Sequence, residues 1–236
     1  MTVTGVRSPV VRRDLAWAAG GLVAAIVATS LVSALRLTGA WATPLAYLAA
    51  WVPLVAVVVL VCRPPAGWRS SVSAKLGLRF SVLDVFWGVA AGCLARAFDA
   101  SVNLMLHGNT GLAPQPIIGV APPLWLAVVG LLAAVLLAPV IEEVFFRGLL
   151  QRALVAEFGA NARPAGRTWA AVVGVVVASA VFALMHLAGA GPAALIGTFA
   201  FGLVAGALTA VTGRIGGAIV AHVVFNGIAV ALMWPY

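Results

Sequence analysis

Acidic side chains are scarce in this sequence: of 236 residues only 6 are Asp or Glu, and charged residues of all kinds make up 8%. Soluble domains carry about a quarter charged residues. The deficit, together with a hydrophobic content of 64%, excludes an ordinary water-soluble domain and points to a bilayer as the main solvent. Cysteine is nearly absent as well. Cys62 and Cys93 stand in or at the ends of apolar runs, with no CxxC or CxxCH spacing, which argues against a disulfide framework. Lysine occurs once, at Lys75, so the formal net charge of +8 is carried almost wholly by arginine. These cations lie in short segments between apolar runs, with few polar or aromatic neighbours. That pattern orients a membrane protein and does not build a phosphate-binding face, so no nucleic-acid partner is expected.

Seven apolar runs can be marked off, at about 15–35, 43–62, 82–106, 122–146, 168–187, 192–212 and 215–235, each near the roughly 20 residues a spanning helix needs. The first is too long for the apolar core of a signal peptide and reads as a retained span. The expected fold is therefore all-α, a polytopic bundle of about seven transmembrane helices. Three spans fall in an N-terminal part, 1–121, and four in a C-terminal part, 122–236. Arg7, Arg12 and Arg13, the cations of 63–80, those of 147–167 and Arg214 all alternate onto one side, while Arg36 stands alone on the other. The positive-inside rule then puts the N-terminus in the cytoplasm and the C-terminus outside, in a multi-pass protein of the plasma membrane. Gly202/Gly206 and Gly213/Gly217 are spaced by four, a pattern that lets helix backbones approach closely, and are read as packing positions.

Ionisable groups inside spans are costly and mark functional sites by default. Arg96 and Asp99, three apart on the third run, are placed to pair with each other, and Asp84, near that run's start, is expected at the membrane interface. The sharper group begins at Glu142-Glu143-Val144-Phe145-Phe146-Arg147. Consecutive helical residues diverge by about 100°, so the two glutamates address different directions, whereas Glu143 and Arg147 stack at i,i+4. Glu143 is thus the ion-pair partner of Arg147, and Glu142 is free to take a proton from water, with poor hydration raising its basicity. Phe182 and His186 share one helix face, His222 and Asn226 another. Two of the chain's three histidines in neighbouring spans, with an amide one turn from one of them, suggest a shared cavity; His107, in an outside loop, has no such company.

This constellation suits attack of water on a peptide carbonyl: a carboxylate base, a histidine that orients water, and His222 with Asn226 to stabilise the oxyanion. Glu142, His186 and His222 would equally serve as zinc ligands with water in the fourth position. Asn226, a poor zinc ligand and a good oxyanion donor, tilts the reading toward activation of water by Glu142 itself. The sequence has no HExxH, no GxSx serine motif and no GxGD aspartate motif, which sets aside the other intramembrane protease designs.

At these residues the chain resembles the CPBP family (CAAX protease and bacteriocin-processing, also called Abi) of intramembrane proteases, whose eukaryotic member is the Ras-converting CAAX prenyl endopeptidase. The family's motifs EExxxR, FxxxH and HxxxN read here as Glu142 to Arg147, Phe182 to His186 and His222 to Asn226, in the family's order and without departure at the motif positions. The resemblance covers about 122–235. It implies a helical bundle around a conical, membrane-embedded catalytic cavity, with Glu142 and His186 activating water and His222 and Asn226 holding the oxyanion; the family is described both as metalloproteases and as metal-free glutamate enzymes. Geometry sets a condition. With ideal spans His186 would lie roughly 27 Å from Glu142 and His222. The fifth helix must then start below the membrane surface and end in a recessed turn at Gly189, Gly191 and Pro192, while the fourth runs on through Leu154, bent at Pro139.

The expected activity is that of an intramembrane endopeptidase acting on membrane-associated peptides or proteins. Two alternatives are a non-catalytic scaffold or bacteriocin-immunity-type protein on the same fold, and a proton-coupled transporter using Glu142, Arg96 and Asp99. The intact site residues argue against the first, and the missing repeated halves against the second. Thirteen arginines to one lysine, with abundant Ala, Gly and Val, fit a GC-rich bacterial genome, where prenylated proteins are not the expected substrate. A membrane peptide, a pheromone or bacteriocin precursor, or a regulatory membrane protein is equally allowed.

Overall fold

An apolar run in lipid can satisfy its backbone N–H and C=O groups only within itself, as a helix, or in a closed barrel. Here every described element is a helix. The structure, a computed structural model, describes residues 9–38, 41–63, 68–113, 124–160, 162–187 and 191–233, with the side chains of 68–71 left aside. The helices are α1 (Pro9–Ala34), α2 (Ala42–Val61), α3 (Trp68–Leu76), α4 (Val82–His107), α5 (Leu124–Gly159), α6 (Pro164–Leu184), α7 (Pro192–Thr212) and α8 (Gly216–Met233). All but α3 are long and apolar enough to cross a membrane, seven in number. The chain is an all-α, multi-pass membrane protein, with large apolar side chains such as Met105, Leu124 and Val211 exposed on its outside. The division expected at 121/122 lies outside the described residues.

Helix ends differ from the apolar runs where polar residues continue a helix. Arg12 and Arg13 belong to α1 and not to a tail, Arg12 reaching Glu157 at 3.6 Å. Lys75 of α3 closes on Asp14 at 2.7 Å and on the Val61 carbonyl, fastening α3 to the first two helices. The largest difference is in α5. The apolar run stops near 146, but the helix continues through Leu154, as expected, and on to Gly159, so that 143–159 adds roughly 25 Å of helix beyond Glu142 toward the arginine-rich end. α6 starts there at Pro164 and runs back for roughly 30 Å. The long α5 and the early start of α6 together bring His186 level with Glu142. His186 itself lies in the turn just past the end of α6; Gly189 of the expected recessed turn lies outside the described residues.

Interhelical contacts rest on small residues. α4 packs along α8 and α7. A Cβ on Gly88 would stand 2.5 Å from Val220, and one on Gly92 would stand 2.5 Å from the Ala221 carbonyl oxygen, so both contacts require glycine. Gly202 and Gly206 pack α7 against Ser179 and Val175 of α6, as expected. Gly213 departs from expectation: with φ of 67° and open space around it, it is the left-handed cap of α7 and no packing position, because the chain must reverse there into α8. Gly217 does pack, against Leu208. Asp84 stands in the first turn of α4, at the start of its span as expected. It forms a capping box with Ser81 at the start of α4, is fully buried, and pairs with Arg214 at 2.8 Å, pinning α4 to the α7–α8 turn.

Gly92→Ala should therefore cost about 1–3 kcal/mol of stability, read as a lowered thermal midpoint of the protein in lipid, whereas Gly20→Ala in α1, where nothing lies within 4 Å, should leave the midpoint unchanged or raise it.

Candidate active site

Two short π-helical segments shape α5 around the glutamates, Ala133–Leu137 and Val144–Gln151. The first follows from Pro139. Ala138 N–H bonds the carbonyl of Ala133, five residues back, and Pro139 has no N–H to offer in its turn, so the Ala134 carbonyl has no donor on its own helix. Asn226 of α8 supplies one, its Nδ2 lying 2.9 Å from Ala134 O. This contact orients the amide and leaves its second N–H for another acceptor.

Glu143 is the hub of the site. It is fully buried, and its Oε1 accepts hydrogen bonds from Arg147 Nη1 at 3.0 Å and from His222 Nδ1 at 2.8 Å. The expected Glu143–Arg147 pair is present; that Glu143 also orients His222 was not legible from spacing, because 79 residues separate them. Arg147, buried as well, donates to the Gly202 carbonyl at 3.3 Å and lies 4.6 Å from the centre of the Phe182 ring. One turn further along α5, Gln151 donates to the Gly206 carbonyl at 3.0 Å. The glycine spacing of α7 thus matches the Arg147/Gln151 spacing of α5, and residues without side chains expose the carbonyls that the buried polar groups need.

The histidine tautomers follow from these partners. A carbonyl can only accept, so His186 carries its proton on Nδ1, 2.9 Å from Phe182 O, and its Nε2 is left with a free lone pair. His222 donates through Nδ1 to Glu143, and its Nε2 stands 3.9 Å from Glu142 Oε2. That separation is too long for a direct hydrogen bond. Both imidazoles rest on aromatic rings: Phe182 meets His186 edge-on at 4.9 Å and His222 at 5.8 Å, and Phe201 lies 4.6 Å from His222. Phe182 therefore serves both histidines, a role its place in the FxxxH spacing shows only for His186.

Glu142, His186, His222 and Asn226 line one cavity of about 370 Å³, with Phe201 and Tyr47 among its other walls. The six expected site residues thus sort into two groups, with Glu143 and Arg147 buried behind the wall and the other four on it. Phe201 and Tyr47 were missed, having no signal in a sequence rich in apolar and aromatic residues. The Arg96–Asp99 pair forms at 2.7 Å, as expected, but lies apart from this cavity. Arg96 donates to the Phe225 carbonyl at 3.0 and 2.6 Å and lies over the Phe225 ring, so it braces α8 one residue before Asn226. Among the described residues, no three His, Cys, Asp or Glu side chains are gathered as a metal site. As arranged, Glu142, His186 and His222 are not gathered around one metal-sized centre.

A helical bundle that gathers a carboxylate, two imidazoles and an amide on one cavity inside its spans has the groups that an intramembrane hydrolase requires. Residues 123–228 match the family model described as Rce1-like, type II CAAX prenyl endopeptidase Rce1-like. The match covers the part of the chain that holds all three motifs and supports the resemblance to the CAAX protease family that they carry. No curated protein and no solved structure matches the chain significantly.

Removing one member of a buried ion pair leaves the other charge uncompensated, at a cost of about 3–5 kcal/mol. Arg147→Met should accordingly unfold at a much lower temperature than wild type, while Glu142→Gln, which breaks no hydrogen bond within the described structure, should unfold close to the wild-type midpoint; thermal scans of both in the same lipid check this.

Proposed function

We propose that the protein is an intramembrane endopeptidase that hydrolyses peptide bonds of membrane-associated peptides or proteins with water activated by Glu142 and His186. The observation that carries this reading is the convergence of a carboxylate, two oriented imidazoles and an amide on one cavity at membrane depth. Glu142 takes a proton from water as the oxygen attacks the carbonyl carbon, and His186 Nε2 accepts the water's other hydrogen bond. The developing oxyanion is held by the second N–H of Asn226 and by His222, which Glu143 orients through Nδ1. The proton on Glu142 then passes to the leaving nitrogen, which breaks the C–N bond and returns the carboxylate. Arg147 holds Glu143 in place and touches no substrate.

The protein is proposed to act in the plasma membrane with its N-terminus in the cytoplasm and its C-terminus outside, following the arginine distribution. The scaffold reading has no comparable support, since packing alone would not require Glu142 to stand in a cavity without a hydrogen-bond partner.

The test is cleavage of an internally quenched peptide library by the purified protein in lipid. Glu142→Gln should abolish turnover, and Asn226→Ala should lower kcat by about 10²–10³-fold. Wild-type activity should survive a strong zinc chelator. Activity in Glu142→Gln equal to wild type would overturn the proposed base, and loss with the chelator would return Glu142, His186 and His222 to the role of zinc ligands.

A further inference from the structure

The candidate catalytic cavity is walled by the four C-terminal spans, α5 to α8, with one exception. Tyr47 comes from α2, in the half of the chain that the family match does not reach, yet it lines the same cavity as Glu142 and lies within electrostatic reach of that carboxylate. Its ring is stacked on Trp51, one helical turn on, at 4.6 Å between centres and 20° between planes, which limits the ring to one orientation. Among the described residues its hydroxyl has no hydrogen-bond partner, and it is not sealed from the cavity as the buried polar groups behind the wall are. A phenol in an apolar protein normally finds an acceptor. Here none is provided by the protein among the described residues, and Tyr47 stands on the wall of the cavity that substrate must enter.

Tyr47 also borders a second cavity of about 410 Å³ between α2 and α5, walled by Leu48, Trp51, Ala133 and Leu137 among others and almost wholly apolar. Ala133 and Leu137 immediately precede Ala134 and Ala138 of the catalytic cavity, so the two spaces are neighbours along α5 with the Tyr47 ring at their border. One side chain, with a donor and an aromatic ring, thus borders both the polar space and the apolar one.

We propose that Tyr47 is a substrate-contacting residue of the active site, its hydroxyl donating a hydrogen bond to a backbone carbonyl of the bound peptide while its ring bounds the space for the side chain beside the scissile bond. This rests on the endopeptidase reading and adds to it that the site is completed from the N-terminal half. The hydroxyl is the readable atom, because Tyr47→Phe removes it without disturbing the stack on Trp51 or any hydrogen bond within the protein.

The experiment compares wild type, Tyr47→Phe and Tyr47→Ala on the quenched library in lipid, and measures binding of a fluorescent peptide from that library to Glu142→Gln with and without Tyr47→Phe. Tyr47→Phe should keep the wild-type thermal midpoint, lose about tenfold in kcat/KM, and bind the peptide several-fold more weakly in the Glu142→Gln background. Tyr47→Ala, which joins the two cavities, should shift cleavage toward peptides with bulkier apolar residues at the scissile bond. If Tyr47→Phe matches wild type in both turnover and peptide affinity, the proposal is wrong even while Glu142→Gln stays inactive and the endopeptidase reading stands. If wild type cleaves nothing but peptide binding still depends on the hydroxyl, the endopeptidase reading falls and the contact remains.

Discussion

A carboxylate buried in a membrane-embedded bundle must be compensated within hydrogen-bond distance, because neither water nor lipid will do it. The site is built outward from that requirement at Glu143. One oxygen of this side chain receives both Arg147 and His222. Arg147, in turn, must dispose of its remaining donors and the face of its guanidinium. It does so on the Gly202 carbonyl and the Phe182 ring. Three helices, α5, α7 and α8, are thereby fixed by the neutralisation of one charge, with Phe182 of α6 against the guanidinium. His222 inherits its orientation from the same carboxylate. Burial and function are not separate here: the ion pair that lets α5 sit inside the bundle also fixes the nitrogen that His222 turns toward Glu142.

The backbone obeys the same accounting. Pro139 removes a donor from α5, and the carbonyl so freed at Ala134 becomes the anchor of Asn226. On α8, the Phe225 carbonyl accepts from Arg96, whose charge is balanced by Asp99 on its own helix. The segment from His222 to Asn226 is consequently held at three successive points, by Glu143, Arg96 and the Ala134 carbonyl. Such support is what a catalytic constellation needs if its donors are to stay aimed without solvent reorganisation. It also means that α4, although outside the matched region, is part of the support of the site: it contributes Arg96, and its Asp84 ties the α7–α8 turn through Arg214.

Much of this was legible in the residues. Composition settled the membrane class, the apolar runs settled the number of spans, and i,i+3 and i,i+4 spacing settled the pairs Arg96–Asp99 and Glu143–Arg147, since helical geometry makes such neighbours obligatory. That Glu142 and Glu143 must differ in role followed from the 100° between adjacent side chains, and they do differ: one lines the cavity and the other is sealed behind it. The spacing of Gly202 and Gly206 announced a close approach of helices, though not that their carbonyls would serve Arg147 and Gln151.

What only the tertiary structure decided are the relations between helices. Hydropathy marks where apolar side chains end, whereas a helix ends where its backbone does, so the extension of α5 past its apolar run was expected only because the motif residues had to meet, and its end at Gly159 came from the structure. Partners such as Glu143 with His222, Asp84 with Arg214 and Arg96 with Phe225 are separated by 79, 130 and 129 residues, and no periodicity links them. Tyr47 entered the cavity from a helix with no motif at all, because which side chain of an apolar span faces a cavity is set by how the spans rotate against one another. The sequence by itself determined the class, the spans and the local pairs, all consequences of helix geometry and solvent. The rotation and depth of each span, which make those residues one site, belong to the assembled bundle.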